Sequence, residues 1–299
     1  MRWRRFRMSS PSSWRSVRRR RESGTALLFL APSLLGLAVF VLVPFLDTLR
    51  RSFCNALGNR WAGLENYRQV LGNSAFHLAA KNTARFLGIC LPLLLAVSLA
   101  LALLVRSSLE KNGLFQTTFL IPMAVPVSAI VLLWKVLFSD NGLINGLLTR
   151  WGRDPVSFLS TDAAFWVLVA TYLWKNAGYD MILWLAGLDH ISSELYESAS
   201  VDGANALQQF RYITLPGIAP MAGVVGLLSL INTFKVFREA YLVAGNYPHD
   251  SIYLLQHLFN NWFLDLDMGR ITAAAVLMAA VLMGVILLLR RFWQLEEPR

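Results

Sequence analysis

The chain has 299 residues, of which 56% are hydrophobic and only 15% charged, and its mean hydropathy is +0.48. Ordinary soluble domains carry about a quarter charged residues and a smaller apolar share, so the balance excludes a soluble globule and requires much of the chain to meet lipid. The net charge of +10, from 28 Lys and Arg against 18 Asp and Glu, is concentrated at the start.

In chain order, residues 1–24 hold Arg2, Arg4, Arg5, Arg7, Arg15, Arg18, Arg19, Arg20 and Arg21 among serines, without apolar periodicity. They read as a basic, disordered cytoplasmic tail that touches lipid head groups rather than as a nucleic-acid patch. A single membrane domain is expected over 25–299. Its apolar blocks fall at 26–46, 86–105, 115–138, 163–188, 218–234 and 271–289. Each is close to the roughly 20 residues that a helix needs to cross a bilayer, and backbone groups in lipid must be satisfied within the segment. The expected fold is therefore all-α with six transmembrane helices. The first block is longer than a signal-peptide core and lacks a small-x-small exit, so it reads as a retained helix.

Basic residues before the first span place the N-terminus in the cytoplasm, and six spans return the C-terminus to the same side of the cell membrane. Arg106 and Lys111 after span two, and Arg290 and Arg291 after span six, agree; Arg50, Arg51, Arg60 and Arg68, on an outer loop, run against the bias. The polar stretch 47–81 is outer and partly helical around 64–71. The loop 139–162 is outer too, with turn signals at Asn141, Gly142, Asn145 and Gly146, and 235–270 is outer and rich in aromatic and amide residues. Cys54 and Cys90 offer neither a disulfide framework nor metal-ligand spacing. His77, His190, His249 and His257 are scattered over loops, and no set of nucleophile, base and orienting group stands out.

The sizeable cytoplasmic loop, 189–215, carries the most information. Ser192 or Ser193 can cap a helix whose first turns hold Glu194 and Glu197, where acids favour the positive dipole end. Gly203 after Asp202 signals a bend, and a second helical run from Leu207 is expected to end before Leu215-Pro216, where span five begins. Small side chains at Ser198, Ala199, Ser200 and Ala204 leave a face that another protein can approach closely. An ordinary connector on the membrane surface fits these observations equally.

Glu197-Ser198-Ala199, three residues, Gly203, nine residues, Ile213, one residue, then Leu215-Pro216 resembles, in register, the E-A-A-x3-G-x9-I-x-L-P signature of permease subunits of binding-protein-dependent ABC importers. Ser198 stands where the signature has its first Ala. Leu28 to Pro32, Gly63 to Tyr67, Asn82-Thr83, Gly142 to Asn145 and Leu185 to Leu188 are similar to the carbohydrate-importing branch, which includes the maltose and glycerol-3-phosphate permease subunits. The chain departs from that branch at Gly245-Asn246-Tyr247-Pro248, where many relatives carry Gly-Gly-Pro. The resemblance implies a permease rather than an enzyme, and a coupling helix in which Glu197, Ser198, Ala199, Asp202, Gly203, Ile213, Leu215 and Pro216 engage a separate ATPase. It also implies a second homologous permease chain, two ATPase chains, an extracytoplasmic solute-binding protein and a carbohydrate substrate. No cofactor is expected on this chain itself: the sequence has no G-x-x-x-x-G-K-[ST] phosphate-binding loop and no Gly-Lys pair, so ATP would be used by the partner subunits.

Span four carries Lys175, Asn176, Tyr179 and Asp180 near its centre, and polar groups at that depth face a cavity or a partner. Lys175 could pair with Asp180, pair with a partner subunit, or line the translocation path. Ser229 and Asn232 add neutral hydrogen-bonding groups on span five. In the maltose relative the sugar lies between these two spans, so the resemblance implies Asn176, Tyr179, Ser229 and Asn232 as its contacts.

Overall fold

The computed structural model describes residues 29–55, 58–107 and 113–294. The basic run before residue 25, Lys111 and the end of the chain after 294 lie outside them. Among the described residues the fold is helical and contains no strand; a lone bridge joins Cys54 and Trp61.

The first helix, α1 (Phe29–Ser52), passes through a π-turn at Ala38–Leu42. It is followed by α2 (Glu65–Leu71), α3 (Ser74–Ser107), α4 (Gly113–Ala124), α5 (Val127–Phe138), α6 (Leu143–Arg150) and α7 (Ala163–Asp189). Then come α8 (Ser193–Val201), α9 (Ala206–Gln209), α10 (Leu215–Thr233), α11 (Phe237–Ala244), α12 (Leu255–Leu264) and α13 (Met268–Gln294).

Five stretches are long and apolar enough to cross a membrane by length and composition: Phe29–Ser52, Ser74–Arg106, Val127–Arg150, Ala206–Ala244 and Met268–Leu288. Their apolar surfaces are largely uncovered; in α1, Phe29 and Phe40 are each 81% exposed. Such surfaces are stable only against lipid or other apolar chains, so the molecule is a multi-pass membrane protein.

The fourth apolar block, 163–188, does form a helix. Its 27 residues span about 40 Å at the α-helical rise. Lys175, Asn176 and Asp180 keep it from standing out by composition, and it is instead the central helix, packed by α3, α4 and α10. Its N-terminal half joins Phe86, Cys90 and Leu94 of α3 with Ile130 and Trp134 of α5 through Phe165, Leu168 and Tyr172. Its C-terminal half joins Ala102 of α3 with Ile218 and Val225 of α10 through Met181, Trp184 and Leu188. A third cluster packs α2, α12 and α13 through Val70, Trp262 and Ala273.

Two proline-bearing positions depart from expectation in opposite directions. The block 115–138 is not one helix: α4 ends at Ala124 and α5 begins at Val127, because Pro126 lacks an amide hydrogen and takes an extended ψ of 143°. Conversely, the helical run from α9 does not end before Leu215-Pro216. A π-turn at Phe210–Thr214, in which Leu215 N–H donates to the Phe210 carbonyl, widens the helix ahead of the proline ring and carries it unbroken into α10. The stretch 235–270 is also more ordered than a loop, half of it lying in α11 and α12.

Candidate functional site

Two regions concentrate polar groups that packing does not require. The first is the segment between α7 and α10. Ser192 caps α8 by accepting from the Glu194 amide at 3.3 Å, and Asn205 caps α9 through a reciprocal pair with Gln208. Between the two helices the Ala204 amide donates to the Ala199 carbonyl at 2.8 Å and Gly203 to Ser200 at 3.1 Å, closing α8 with Gly203 at φ +81°. This left-handed helix stop suits Gly. A Cβ at Gly203 would meet nothing within 4 Å, so the backbone angle, and not crowding, selects glycine here.

Of the signature residues, Glu197, Ser198, Asp202, Gly203, Leu215 and Pro216 are exposed, Ala199 is half-buried, and Ile213 packs against the lower core beside Ile191 and Met221. Glu197 makes no side-chain hydrogen bond or ion pair among the described residues, and apolar Leu195, Val201, Leu207 and Tyr212 lie uncovered nearby. The segment is tied to the membrane helices by contacts that sequence spacing did not reveal. The hydroxyls of Tyr196 and Thr214 hydrogen-bond at 2.9 Å, the Arg106 guanidinium lies over the Tyr196 ring at 5.2 Å, and Gln209 Nε2 donates to Ser200 Oγ at 2.9 Å.

The second region lies between α7, α10 and α11. A cavity of about 160 Å³ is lined by Met123, Val127, Tyr172, Lys175, Asn176, Asn232, Val236, Arg238 and Glu239. Asn176 and Asn232, from two helices, therefore meet at one space. Tyr179 and Ser229 do not line it. Ser229 is buried and spends its hydroxyl on Asp180 Oδ2 at 2.6 Å, which pins α10 to α7. Of the alternatives open for Lys175, pairing with Asp180 is not the one found: Lys175 Nζ bonds Glu239 Oε1 at 2.6 Å. A helix places residues five apart on different faces, whereas Glu239 approaches from α11. No sequence signal joins groups 64 positions apart.

Residues 88–299 match the family described as "binding-protein-dependent transport system inner membrane component". The chain belongs to that family. This permease is 30% identical over 289 residues to "probable ABC transporter permease protein YesP" of Bacillus subtilis, covering 92% of its own length and 91% of that protein's. It is also 30% identical over 263 residues to "trehalose/maltose transport system permease protein MalF" of Thermococcus litoralis, covering 86% and 89%. Among solved structures, the permease superposes with a TM-score of 0.81 and 24% identity on a chain of a bacterial ABC transporter involved in import of the acidic polysaccharide alginate, covering 96% of itself and all of that chain. The last comparison establishes the fold. A permease subunit moves a solute and is not an enzyme.

Proposed function

We propose that the permease is the membrane-spanning component of an ATP-driven sugar importer, with six spans and both termini in the cytoplasm. Five of the spans are supported by composition and the sixth is the central helix α7, whose polar groups turn inward. The basic residues flanking the cytoplasmic ends support the orientation. Relatives named for trehalose and maltose or for arabinooligosaccharides support a sugar as cargo. In this reading the chain pairs with a second, homologous permease subunit, two ATPase subunits and an extracytoplasmic solute-binding protein. ATP is bound by the ATPases alone.

The observation that carries the reading is the exposed α8 segment, with a Glu197 unpaired among the described residues and uncovered Leu195 and Val201 beside the signature bend. An acidic, partly apolar helix protruding from a membrane domain suits a cleft on another protein. Glu197, Ser198, Ala199, Asp202 and Gly203 make the docking surface. Ile213, Leu215 and Pro216 join it to α10, and Tyr196 and Gln209 lock the two arms together. Movement imposed on α8 thus reaches the cavity where Asn176 and Asn232 would meet the sugar.

The test is uptake by the reconstituted complex. Gly203→Val forces a β-branched residue to positive φ, at a cost on the order of 2 kcal/mol. It should abolish uptake and the stimulation of ATP hydrolysis by loaded binding protein while the membrane subunits still assemble. Asn176→Ala and Asn232→Ala should each lower uptake several-fold, from about 1 kcal/mol per lost hydrogen bond, with stimulation retained. Normal uptake by Gly203→Val would remove the docking role of α8.

A further inference from the structure

The cavity holds one group that the sugar path described above does not use. Glu239 is 7% exposed and lines the cavity; its Oε1 accepts from Lys175, while Oε2 has no hydrogen-bond partner among the described residues. A buried carboxylate oxygen without a donor is costly, and native folds rarely keep one without a reason. Lys175, with its side chain 16% exposed, is neutralised by the same carboxylate and is not a free anion ligand. Other groups facing the space are already engaged: Asn176 Nδ2 donates to the Tyr172 carbonyl at 2.8 Å, and the Tyr172 hydroxyl donates to Thr233 Oγ1 at 3.3 Å. Arg238 lies at the exposed edge, with no hydrogen bond or ion pair among the described residues. The same cavity is thus lined by an unfilled acceptor and, at its exposed edge, by an unfilled donor.

We propose that Glu239 Oε2 accepts a hydrogen bond from a hydroxyl of the cargo, with Lys175 holding the carboxylate in place and Arg238 donating to the same or a neighbouring hydroxyl, so that the cargo is an uncharged polyhydroxy compound. The inference rests on the cavity being the translocation path. A hydroxyl can donate and accept at once, which matches the pair of groups. A carboxylate or phosphate placed at Oε2 would itself offer no proton at neutral pH and would bring like charge against it.

The experiment uses the whole reconstituted transporter with its binding protein. Thermal-shift titration of the binding protein with maltose, trehalose, lactose and digalacturonate identifies the cargo. A neutral disaccharide is expected, and digalacturonate would overturn the proposal. In Glu239→Gln one oxygen remains for Lys175 and the other atom becomes an NH2 donor. Uptake should fall about tenfold, as for loss of a charge-assisted hydrogen bond, while the loaded binding protein still stimulates ATP hydrolysis; wild-type uptake would overturn the assignment. The double variant Lys175→Met/Glu239→Leu removes both charges and strands neither. Recovery of uptake would mean that the ion pair is only structural and would end the proposal, whereas a persistent tenfold loss supports a contact to cargo. Asn176→Ala and Asn232→Ala serve as the separate test of the path. A loss confined to those two defeats the Glu239 assignment alone, and a loss confined to Glu239→Gln supports it while removing the two amides from the path.

Discussion

Gly178 sits near the middle of α7, where the backbone of α4 passes close by. In Gly178→Ala the new Cβ would lie 2.5 Å from the Phe119 carbonyl carbon, nearer still to its oxygen, and 3.2 Å from the Leu120 nitrogen. All three are backbone atoms, so no rotamer change relieves the clash. Real Cβ contacts essentially never fall below 3.0 Å, and the carbonyl carbon alone demands a retreat of 3.0 − 2.5 = 0.5 Å by α4. That retreat loosens Phe119 from the core cluster around Met181 and Trp184. Overpacking of this kind costs about 1–3 kcal/mol, against which alanine recovers at most about 1 kcal/mol of helix propensity. With the recovery at its full value, the net loss of up to about 2 kcal/mol would lower the melting temperature of the detergent-purified permease by as much as several degrees. Gly146→Ala, on α6 with nothing within 4 Å of its new Cβ, should be neutral or stabilising in the same assay. If Gly178→Ala melts at or above the wild type while Gly146→Ala is unchanged, the close approach of α4 and α7 is not as argued.

His257, fully buried on α12, accepts from the Leu254 amide through Nδ1 at 3.2 Å and packs edge-on to Phe237. Burial holds its pKa down at about 4, against 6.5 when exposed. Between those values the unfolded chain binds a proton that the folded chain refuses, so the stability present above pH 6.5 is lost as pH falls toward 4, by about 1.4 kcal/mol per unit. Melting curves at pH 7 and pH 5 should show the drop, and His257→Gln should flatten it; an unchanged slope would clear His257 of the effect. Asn145 donates to the carbonyls of Ser139 and Val156 and accepts from the Val156 amide. Asn145→Ala should strand those groups at a cost of about 2 kcal/mol or more, read as faster protease cleavage within 139–162.

Periodicity and composition made the apolar helices legible, because a run near 20 residues without charge has few other solutions. The cap at Ser192 and the stop at Gly203 were legible for the same local reason. Prolines were not. Pro126 ends a helix and Pro216 does not, and the difference is the π-turn one step upstream, which depends on how α9 joins α10 rather than on the proline's neighbours in sequence. The polar centre of α7 stood out in the sequence, but its bonding did not. Asp180 was the acid near Lys175 in sequence, while the partner in space is Glu239, and Ser229 is consumed by Asp180 instead of facing the cavity. Stretches that resembled the family in sequence prove to hold long-range ties: Asn66 binds the carbonyls of Ser52 and Cys54, and Asn82 reaches the carbonyls of Asp250 and Tyr253, about 170 positions away.

The unbroken run through Pro216 also sets a mechanical ratio. Residues 206–233 form one rod of about 40 Å, with Gln209 near one end and Asn232 near the other. A hinge at Pro216 would absorb a rotation of the loop locally. Moving as one piece, the run would turn a tilt of about ten degrees into a displacement of about 7 Å at its far end, more than the width of a water molecule and comparable to a sugar ring.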